Sequence, residues 1–197
     1  MNFLDNNCTF FLLNQETIRY CNAFSCDRED LDDFFNNDAL DYSSQLLGKT
    51  YCFRLNKDDK TIVCAFTVSN SSLKAFSLSN NRRRKVEKDV PRIKHLRDYP
   101  AVLVGRLGVH KDFKRMGVGH ELMDFIKAWF ISPQNKTGCR YILVDAYNAP
   151  DTIGYYQKNG FSFVLLEESE EKKYYHTRSD EPLKTRLMYF DLIKLFD

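Results

Sequence analysis

The stretch from residue 101 to residue 130 constrains the fold most, because it places a strand directly before a helix with a glycine turn between them. The run AVLVGRLGVH (101–110) has the apolar character of a buried strand. After the joint KDFKRMGVG, apolar residues recur every three or four positions and predict one helix stripe: Val118, Leu122, Phe125, Ile126, Trp129 and Phe130. A strand that runs into a helix in this way predicts an α/β architecture.

The joint has the chemistry of an anion site. The first N–H groups of a helix have no partner within the helix and lie at the positive end of its dipole. Gly117 and Gly119 let a bulky group come close to that backbone, and Lys114 and Arg115 add positive charge. The turn therefore predicts a phosphate-binding site. A tight turn with solvent-exposed cations is the alternative that this stretch alone leaves open.

The first half of the chain reads as a helix followed by a hairpin. Apolar residues at helical spacing predict a helix over residues 24–47, which Gly48 ends. KTYCFRLN (49–56) and TIVCAFTVSN (61–70) are strand-like and are separated by turn-prone residues, so we expect an antiparallel hairpin. The polar, basic stretch that follows predicts a loop with a short helix.

The second half adds strands on either side of another helix. We expect a strand over 139–147, a short helix over 151–160, and strands over 161–166 and 185–195 joined by a charged segment. Helical crossovers near the centre of this order and hairpins at its ends imply a mixed sheet with helices on both faces.

Length and composition are those of a globular protein. At 197 residues the chain fits one domain, and 43% hydrophobic with 28% charged residues exclude a disordered chain. No apolar run reaches the roughly 18 residues of a membrane span, and no signal-peptide pattern opens the chain, so we expect a cytoplasmic protein with no membrane partner. The six cysteines form no CxxC pair, which predicts reduced, buried thiols.

Charge is unevenly distributed although the net charge is only +2. Residues 27–41 hold seven acids and one arginine, a local balance of −6. Residues Arg82–Arg97 hold eight cations and two acids, a local balance of +6. The second stretch could bind a polyanion, and a solvated helix face or loop is the alternative.

Several familiar motifs fail. LLGKT (46–50) lacks the partner glycine of a P-loop at Ser43 and stands between a helix and a strand in the wrong order. The dinucleotide fingerprint needs a small residue where Leu122 stands. The four histidines show no metal spacing and no pairing with a nucleophile, so we predict no metal site.

Two short motifs give a resemblance to a known family. LVGRLGVHKDFKRMGVGHELM resembles the acetyl-coenzyme A (acetyl-CoA) binding motif of the GNAT superfamily of N-acetyltransferases, whose signature is Arg or Gln, two residues, Gly, one residue, then Gly or Ala. Lys114 stands at its first position, a departure from the signature, and Gly117 and Gly119 match. The family's second mark is a tyrosine followed by three residues and then Gly-Phe, and it appears here from Tyr156 to Gly160 and Phe161.

The resemblance covers about residues 20–192 and implies a single-domain GNAT-like fold over 1–197. That fold is a mixed, mostly antiparallel sheet with helices on both faces, whose two central strands splay apart to accept the pantetheine arm of acetyl-CoA. The reaction it implies is direct attack of a primary amine on the thioester in a ternary complex, without a metal.

The same resemblance assigns site residues. Main-chain groups of Leu107, Gly108 and Val109 would hold the pantetheine arm, and an N–H near Val109 would stabilise the oxyanion. Tyr156 would be the general acid that protonates the leaving thiolate, and Asn148 would contact the coenzyme. The residues of the turn would hold the pyrophosphate: Lys114, Arg115, Met116, Gly117, Val118, Gly119 and His120.

The series AFSCDREDLDDFF, LLGKTYCF, PAVLVGRLGVH and VDAYN is similar to the branch of the superfamily that includes toxin-type acetyltransferases acting on aminoacyl-tRNA. This likeness implies charged tRNA as an acceptor, bound through the Arg82–Arg97 region. No carboxylate on the strand 101–110 can serve as base, which favours an α-amine. The main expectation is transfer to a primary amine. Aminoacyl-tRNA as the acceptor and a non-catalytic CoA-binding sensor are its alternatives, and a second copy of the chain is an alternative partner.

Overall fold

The computed structural model describes residues 2–90, 96–177 and 180–196 and contains a seven-stranded sheet. Its strands follow the order β1-β2-β3-β4-β5-β7-β6, and the pairs β1–β2, β2–β3, β5–β7 and β6–β7 are antiparallel. The strands are β1 (Cys8–Leu12), β2 (Lys49–Leu55), β3 (Ile62–Leu73), β4 (Tyr99–Val109), β5 (Tyr141–Tyr147), β6 (Ser162–Phe163) and β7 (Thr185–Asp191). The fold is therefore mixed α/β with a mostly antiparallel sheet, as the sequence predicts.

Short helices connect these strands. They are α1 (Phe3–Asn7), α2 (Gln15–Tyr20), α3 (Glu29–Asp33), a π-helical segment (Phe34–Asp38), α4 (Ala39–Ser44), α5 (Asn80–Val86), α6 (Val118–Ile131), α7 (Pro150–Lys158) and α8 (Glu168–Tyr174). Single 3₁₀ turns lie at Ala75–Ser77, Lys111–Phe113 and Leu192–Leu195. Within the described residues, none of these helices has the length and apolar character to cross a membrane.

Most predicted elements are confirmed, and the differences lie at their ends. The helix expected over 24–47 begins only at Glu29, because the segment before it is held extended by side-chain hydrogen bonds from the helix. The strand expected over 161–166 has just two residues, and β7 ends at Asp191. The basic stretch contains the expected short helix, α5, whereas α8 lies in a segment for which only a charged connection was predicted.

The chain divides into two compact units, the first formed by Met1–Ser69 and Val104–Trp129. Aromatic side chains build one part of its core. Phe125 of α6 packs against Phe10 and Phe53, with ring centroids 4.8 and 4.9 Å away. Trp129, one helical turn later, packs edge-on against Tyr51 at 4.8 Å. These contacts fix α6 on the strands β1 and β2.

The second unit comprises Asn70–Leu103 and Phe130–Asp197. Buried residues from its strands and from the segment around α5 form its core: Leu73, Ala75, Leu78, Val86, Tyr99, Ala101, Tyr141, Leu143, Val164, Leu165, Leu187 and Tyr189. The Tyr141 hydroxyl donates to the Val86 carbonyl oxygen at 2.9 Å, so α5 is tied to β5 by a buried hydrogen bond as well as by packing.

A buried ion pair joins α8 to β7 in this unit. Glu171 is 1% exposed and accepts hydrogen bonds from Arg186 Nε at 2.7 Å and from the Leu187 N–H at 2.6 Å. Arg186 also donates to the carbonyl oxygens of Leu165 and Leu166, each at 3.0 Å. Burial raises the pKa of Glu171, and the hydrogen bonds from Arg186 and Leu187 oppose that rise.

Replacing Arg186 by Met tests this pair. Arg186→Met leaves the buried Glu171 carboxylate without its charged partner and frees two carbonyl oxygens, so we expect a loss of about 3 kcal/mol in the free energy of unfolding. Urea denaturation followed by circular dichroism measures it. Lys184→Met removes an exposed cation from the neighbouring segment and should change stability by less than about 0.5 kcal/mol. Equal stability of the two variants would contradict the role of the pair.

Candidate functional site

The glycine turn lies between β4 and α6 in the first unit. After the 3₁₀ turn Lys111–Phe113, the chain takes positive φ angles at Arg115 (62°) and at Gly117 (84°). The second angle suits glycine, because a Cβ is strained there even though no neighbouring atom would touch it. The chain is helical from Val118 onward, and the Gly117 carbonyl oxygen accepts from the N–H groups of His120 and Glu121 at 2.9 and 3.1 Å.

The turn presents a row of unpaired donors. Among the described residues, no protein acceptor receives a hydrogen bond from the backbone N–H groups of four consecutive residues: Arg115, Met116, Gly117 and Val118. Arg115, Met116 and Gly117 are exposed, whereas the Val118 side chain is buried and anchors the start of α6. Free N–H groups at a helix N-terminus are the donors that an anion needs.

Two backbone groups of the predicted site are already occupied. The Lys114 N–H donates to the Lys111 carbonyl oxygen at 3.4 Å, and the His120 N–H donates to Gly117. The backbone N–H groups of Lys114 and His120 are therefore not available to a ligand. The His120 ring is exposed, and its Nε2 lies 3.4 Å from Asp124 Oδ2, one turn along the helix.

The Lys114 ammonium is paired within the protein. Its Nζ lies 2.8 Å from Oδ2 of Asp27, and both side chains are about half exposed, at 42% and 58%. Asp27 itself has a positive φ of 57°. Exposed pairs of this kind contribute little to stability because water competes with them. Arg115 has no such partner among the described residues.

The end of β4 leads into the turn through Leu107, Gly108 and Val109. Gly108 is buried, and a Cβ added there would lie 3.1 Å from the Phe24 ring and 3.3 Å from Cys26 Sγ. A side chain at this position would have to push the Phe24 ring away by a few tenths of an ångström, because another segment of the chain packs directly on the strand. Leu107 and Val109 are partly buried.

That segment, residues 24–27, was not found by sequence reasoning, which assigned it to a helix. The Ser25 carbonyl oxygen accepts from the Lys111 N–H at 2.9 Å. Asp32 of α3 holds the segment by accepting from the Cys26 N–H at 2.6 Å and from Ser25 Oγ at 2.9 Å. No motif marks these residues in the sequence, since the contacts are made only when residues far apart in the chain are folded together.

Tyr156 lies on α7 in the second unit. It is 8% exposed and packs edge-on against Phe161, with ring centroids 5.4 Å apart. Its hydroxyl makes no hydrogen bond with any described residue. Burial, together with the nearby Tyr147 and Asp145, raises its pKa above the ordinary value of 10, so the phenol stays protonated at neutral pH.

Asn148 already has two hydrogen-bond partners in the same unit. Its side-chain N–H₂ group donates to Glu168 Oε2 at 3.1 Å and to the Leu183 carbonyl oxygen at 2.9 Å. The backbone of Asn148 is bonded to Lys184 as well. Of its side-chain groups, the oxygen is left to bind a ligand. The two donated hydrogen bonds connect the end of β5 with α8 and with the segment after it.

The basic stretch Arg82–Arg97 is divided by the fold. Arg82 is buried and donates to the carbonyl oxygens of Phe163 and Val164. The prediction that it belongs to a basic surface is therefore wrong. Arg83 pairs with Glu87 at 2.9 Å. Residues 91–95, which include Arg92 and Lys94, lie outside the described residues. Four cations of the stretch are exposed: Arg84, Lys85, Lys88 and Arg97.

The described residues give little support to a metal site or to a reactive cysteine. No group of three or more His, Cys, Asp or Glu side chains there could hold a metal ion. All six cysteines, which lie in the described part of the chain, are free thiols. Burial raises the pKa of the Cys26 and Cys52 thiols to about 12, so both are protonated and unreactive at neutral pH.

Comparisons with known proteins identify a matching domain and solved structures of similar fold. Residues 87–163 match a family model described as acetyltransferase (GNAT) domain. A Tyr-to-Phe mutant of KacT has a TM-score of 0.71 and 16% sequence identity, covering 97% of this chain and 98% of its own. AtaT complexed with acetyl-methionyl-tRNAfMet has a TM-score of 0.66 and 14% identity, covering 96% and 97%. AtaTR bound with AcCoA has a TM-score of 0.60 and 16% identity, covering 98% and 99%.

A search of curated protein sequences gives no significant match. The structural similarity, at such low identity, establishes the fold, and the family model spans the glycine turn and the tyrosine motif that the residues themselves single out. Part of the chain, residues 87–163, thus resembles a GNAT acetyltransferase domain, and the fold of the chain is similar to that of KacT and AtaT.

Proposed function

We propose that the whole chain is one acetyltransferase domain that transfers the acetyl group of acetyl-CoA to the α-amino group of an aminoacyl-tRNA. One observation carries the coenzyme part of this proposal: the four consecutive unpaired N–H groups of residues 115–118 at the start of α6. The diphosphate of a coenzyme is a dianion with several acceptor oxygens, and a row of donors next to two cationic side chains suits it.

Binding of the coenzyme would use the end of β4 as well as the turn. The main chain of Leu107, Gly108 and Val109 would pair with the amide groups of the pantetheine arm, as an added strand does. Met116, Gly117 and Val118 would donate to the diphosphate, with Gly119 and His120 at the first turn of α6 beside them. The coenzyme supplies the activated acetyl thioester, and holding it in place prepares it for attack.

Tyr156 would act as the general acid. Thiolate expulsion requires a proton donor, and a buried phenol with a raised pKa remains protonated throughout the physiological range. The hydroxyl has no hydrogen-bond partner among the described residues, so it is available to a substrate. An N–H near Val109 would stabilise the oxyanion that forms before the thiolate leaves.

The acceptor is proposed from charge and from similarity of fold. AtaT, whose fold is similar, has been solved with acetyl-methionyl-tRNAfMet. In the present chain the exposed cations Arg84, Lys85, Lys88 and Arg97 occupy one stretch of the second unit. The Arg97 guanidinium stacks 4.7 Å from the ring of Phe76, which is 50% exposed. Cations beside an exposed aromatic ring are groups that RNA recognition uses.

An α-amine also suits the groups at hand. Its reference pKa of about 8 leaves a sizeable neutral fraction at pH 7, so transfer needs no strong base. A lysine side chain, with a reference pKa above 10, would need one. Since acetyl-CoA and charged tRNA are both used in the cytoplasm, the reaction would take place there.

Coenzyme binding is tested by adding charge to the turn. Gly117→Glu places a bulky anion where the diphosphate would bind and strains a positive-φ position, so the affinity for CoA should fall by about 100-fold or more. Isothermal titration calorimetry measures it, with a thermal melt to verify folding. Gly138→Glu adds the same charge in an exposed loop and should bind CoA like the parent. Unchanged affinity of Gly117→Glu would refute the proposed turn.

Tyr156→Phe tests the acid. The variant should bind CoA as the parent does and lose about 100-fold or more in turnover, because only the proton donor is removed. Tyr189→Phe removes a hydroxyl from another mostly buried ring of the same unit and should retain activity. Thiol release with bulk aminoacyl-tRNA as acceptor is the assay.

The parent's rate in that assay should rise with pH as the amine is deprotonated, near pH 8, and should not fall before about pH 10, since the pKa of Tyr156 is raised. A fall near pH 7, or full activity of Tyr156→Phe, contradicts this role for Tyr156. Tight CoA binding by the parent with no transfer to any amine identifies a non-catalytic CoA-binding protein instead.

The acceptor is tested by reversing charge. Arg84→Glu combined with Lys88→Glu should weaken tRNA-dependent transfer and reduce its salt dependence, because each lost phosphate contact releases about one counterion fewer. Transfer to a small amino acid ester should be unaffected. Lys57→Glu with Lys136→Glu makes the same charge change at exposed positions elsewhere. Equal effects of the two pairs, or rates that do not depend on salt, would exclude tRNA docking by this stretch.

A further inference from the structure

The segment of residues 24–27, which we call the strap, contacts the strand end and the glycine turn at successive points. Phe24 lies against Gly108, so closely that a Cβ at residue 108 would come within 3.1 Å of its ring. The Ser25 carbonyl oxygen accepts from the Lys111 N–H at 2.9 Å. Asp27 pairs with Lys114 at 2.8 Å. The strap therefore follows the backbone from the end of β4 to the first residue of the turn.

Helix α3 and the π-helical segment after it hold the strap in this position. Asn36 accepts from the Phe24 N–H at 2.9 Å and donates to the Phe24 carbonyl oxygen at 2.8 Å. Asp32 accepts from the Cys26 N–H and from the Ser25 hydroxyl. Because these hydrogen bonds hold residues 24–26 in place, the backbone positions the Asp27 side chain next to Lys114.

The pair between Asp27 and Lys114 differs from the other contacts of the strap because solvent reaches it. Both side chains are about half exposed, and Asp27 makes no other hydrogen bond in the described part of the chain. Such pairs exchange readily with other ions. A diphosphate brings more negative charge than a single carboxylate and gains the N–H groups of the turn in addition.

The geometry points to Asp27 as the counter-ion that the diphosphate of acetyl-CoA displaces from Lys114, so that Asp27 lowers and thereby sets the affinity for the coenzyme. This inference rests on the proposed coenzyme site. Asp27 is a positioning residue in this scheme: it keeps the Lys114 side chain at the edge of the turn, and it releases the ammonium to a stronger anion.

A purely structural role for the pair predicts the opposite change in coenzyme affinity when Asp27 is replaced. If Asp27 served only to hold the turn in shape, its removal would loosen the turn and weaken coenzyme binding. If it competes with the diphosphate, its removal strengthens binding. Asn is a suitable replacement because it keeps the size of the side chain and tolerates the positive φ of this position.

Calorimetric titration with CoA as the probe separates the two cases. Asp27→Asn should bind CoA about two- to fivefold more tightly than the parent, and the gain should shrink in 0.5 M NaCl, since salt screens an exposed carboxylate. Lys114→Gln should bind about tenfold more weakly. In the Lys114→Gln background, Asp27→Asn should give no further gain, because the cation for which carboxylate and diphosphate compete is absent.

Asp38→Asn is the matched control, since it removes the same charge from the same acidic stretch at an exposed position away from Lys114. Weaker or unchanged binding by Asp27→Asn, or an equal gain from Asp38→Asn, would overturn the inference while leaving the coenzyme site intact. If the parent fails to bind CoA, the proposed function falls and this inference falls with it. The two failures are thus told apart by the parent titration.

Discussion

The packing of α6 against the sheet is the constraint on which the glycine turn depends. Phe125 and Trp129 interlock with Phe10, Phe53 and Tyr51, and this contact places the helix axis before any ligand is present. With α6 packed in this way, its N-terminus lies close to the end of β4, and the N–H groups of the turn between them lie together. An anion site made of backbone gains its affinity from such pre-organisation, since no entropy is then lost in assembling the donors.

Hydrogen bonding distinguishes polar groups that hold the fold together from polar groups that are available to a ligand. Arg82, Arg186 and Asn148 carry polar groups that are common in binding sites, yet each donates to carbonyl or carboxylate oxygens of its own unit. The N–H groups of residues 115–118 and the Tyr156 hydroxyl bond to no described residue. The Tyr156 hydroxyl is buried, where a donor without a partner is costly, and the exposed N–H groups lie together at a helix N-terminus, so both support a role in ligand binding.

Local patterns predicted what depends on local interactions. The run 101–110, the helical stripe that follows it and the glycine turn between them could all be read from the sequence, because periodicity and glycine act within a few residues. The strap and the burial of Arg82 could not, since a cation in a basic run looks the same whether it faces water or a carbonyl oxygen. Likewise, β1 escaped prediction because its five residues are flanked by short helices and carry little periodicity.

Two ion pairs in this protein show how burial decides what a charge can do. Glu171 and Arg186 are both nearly inaccessible, and each has further hydrogen bonds, so separating them would leave a charge in a medium of low dielectric constant. Asp27 and Lys114 are almost equally close, yet water screens them, and little is lost when one finds another partner. The buried pair of Glu171 and Arg186 can therefore fix α8 on β7, whereas Asp27 and Lys114 can exchange each other for new partners. A cation at the first position of a phosphate turn must be able to exchange, because a cation locked in a buried pair could not reach the incoming phosphate.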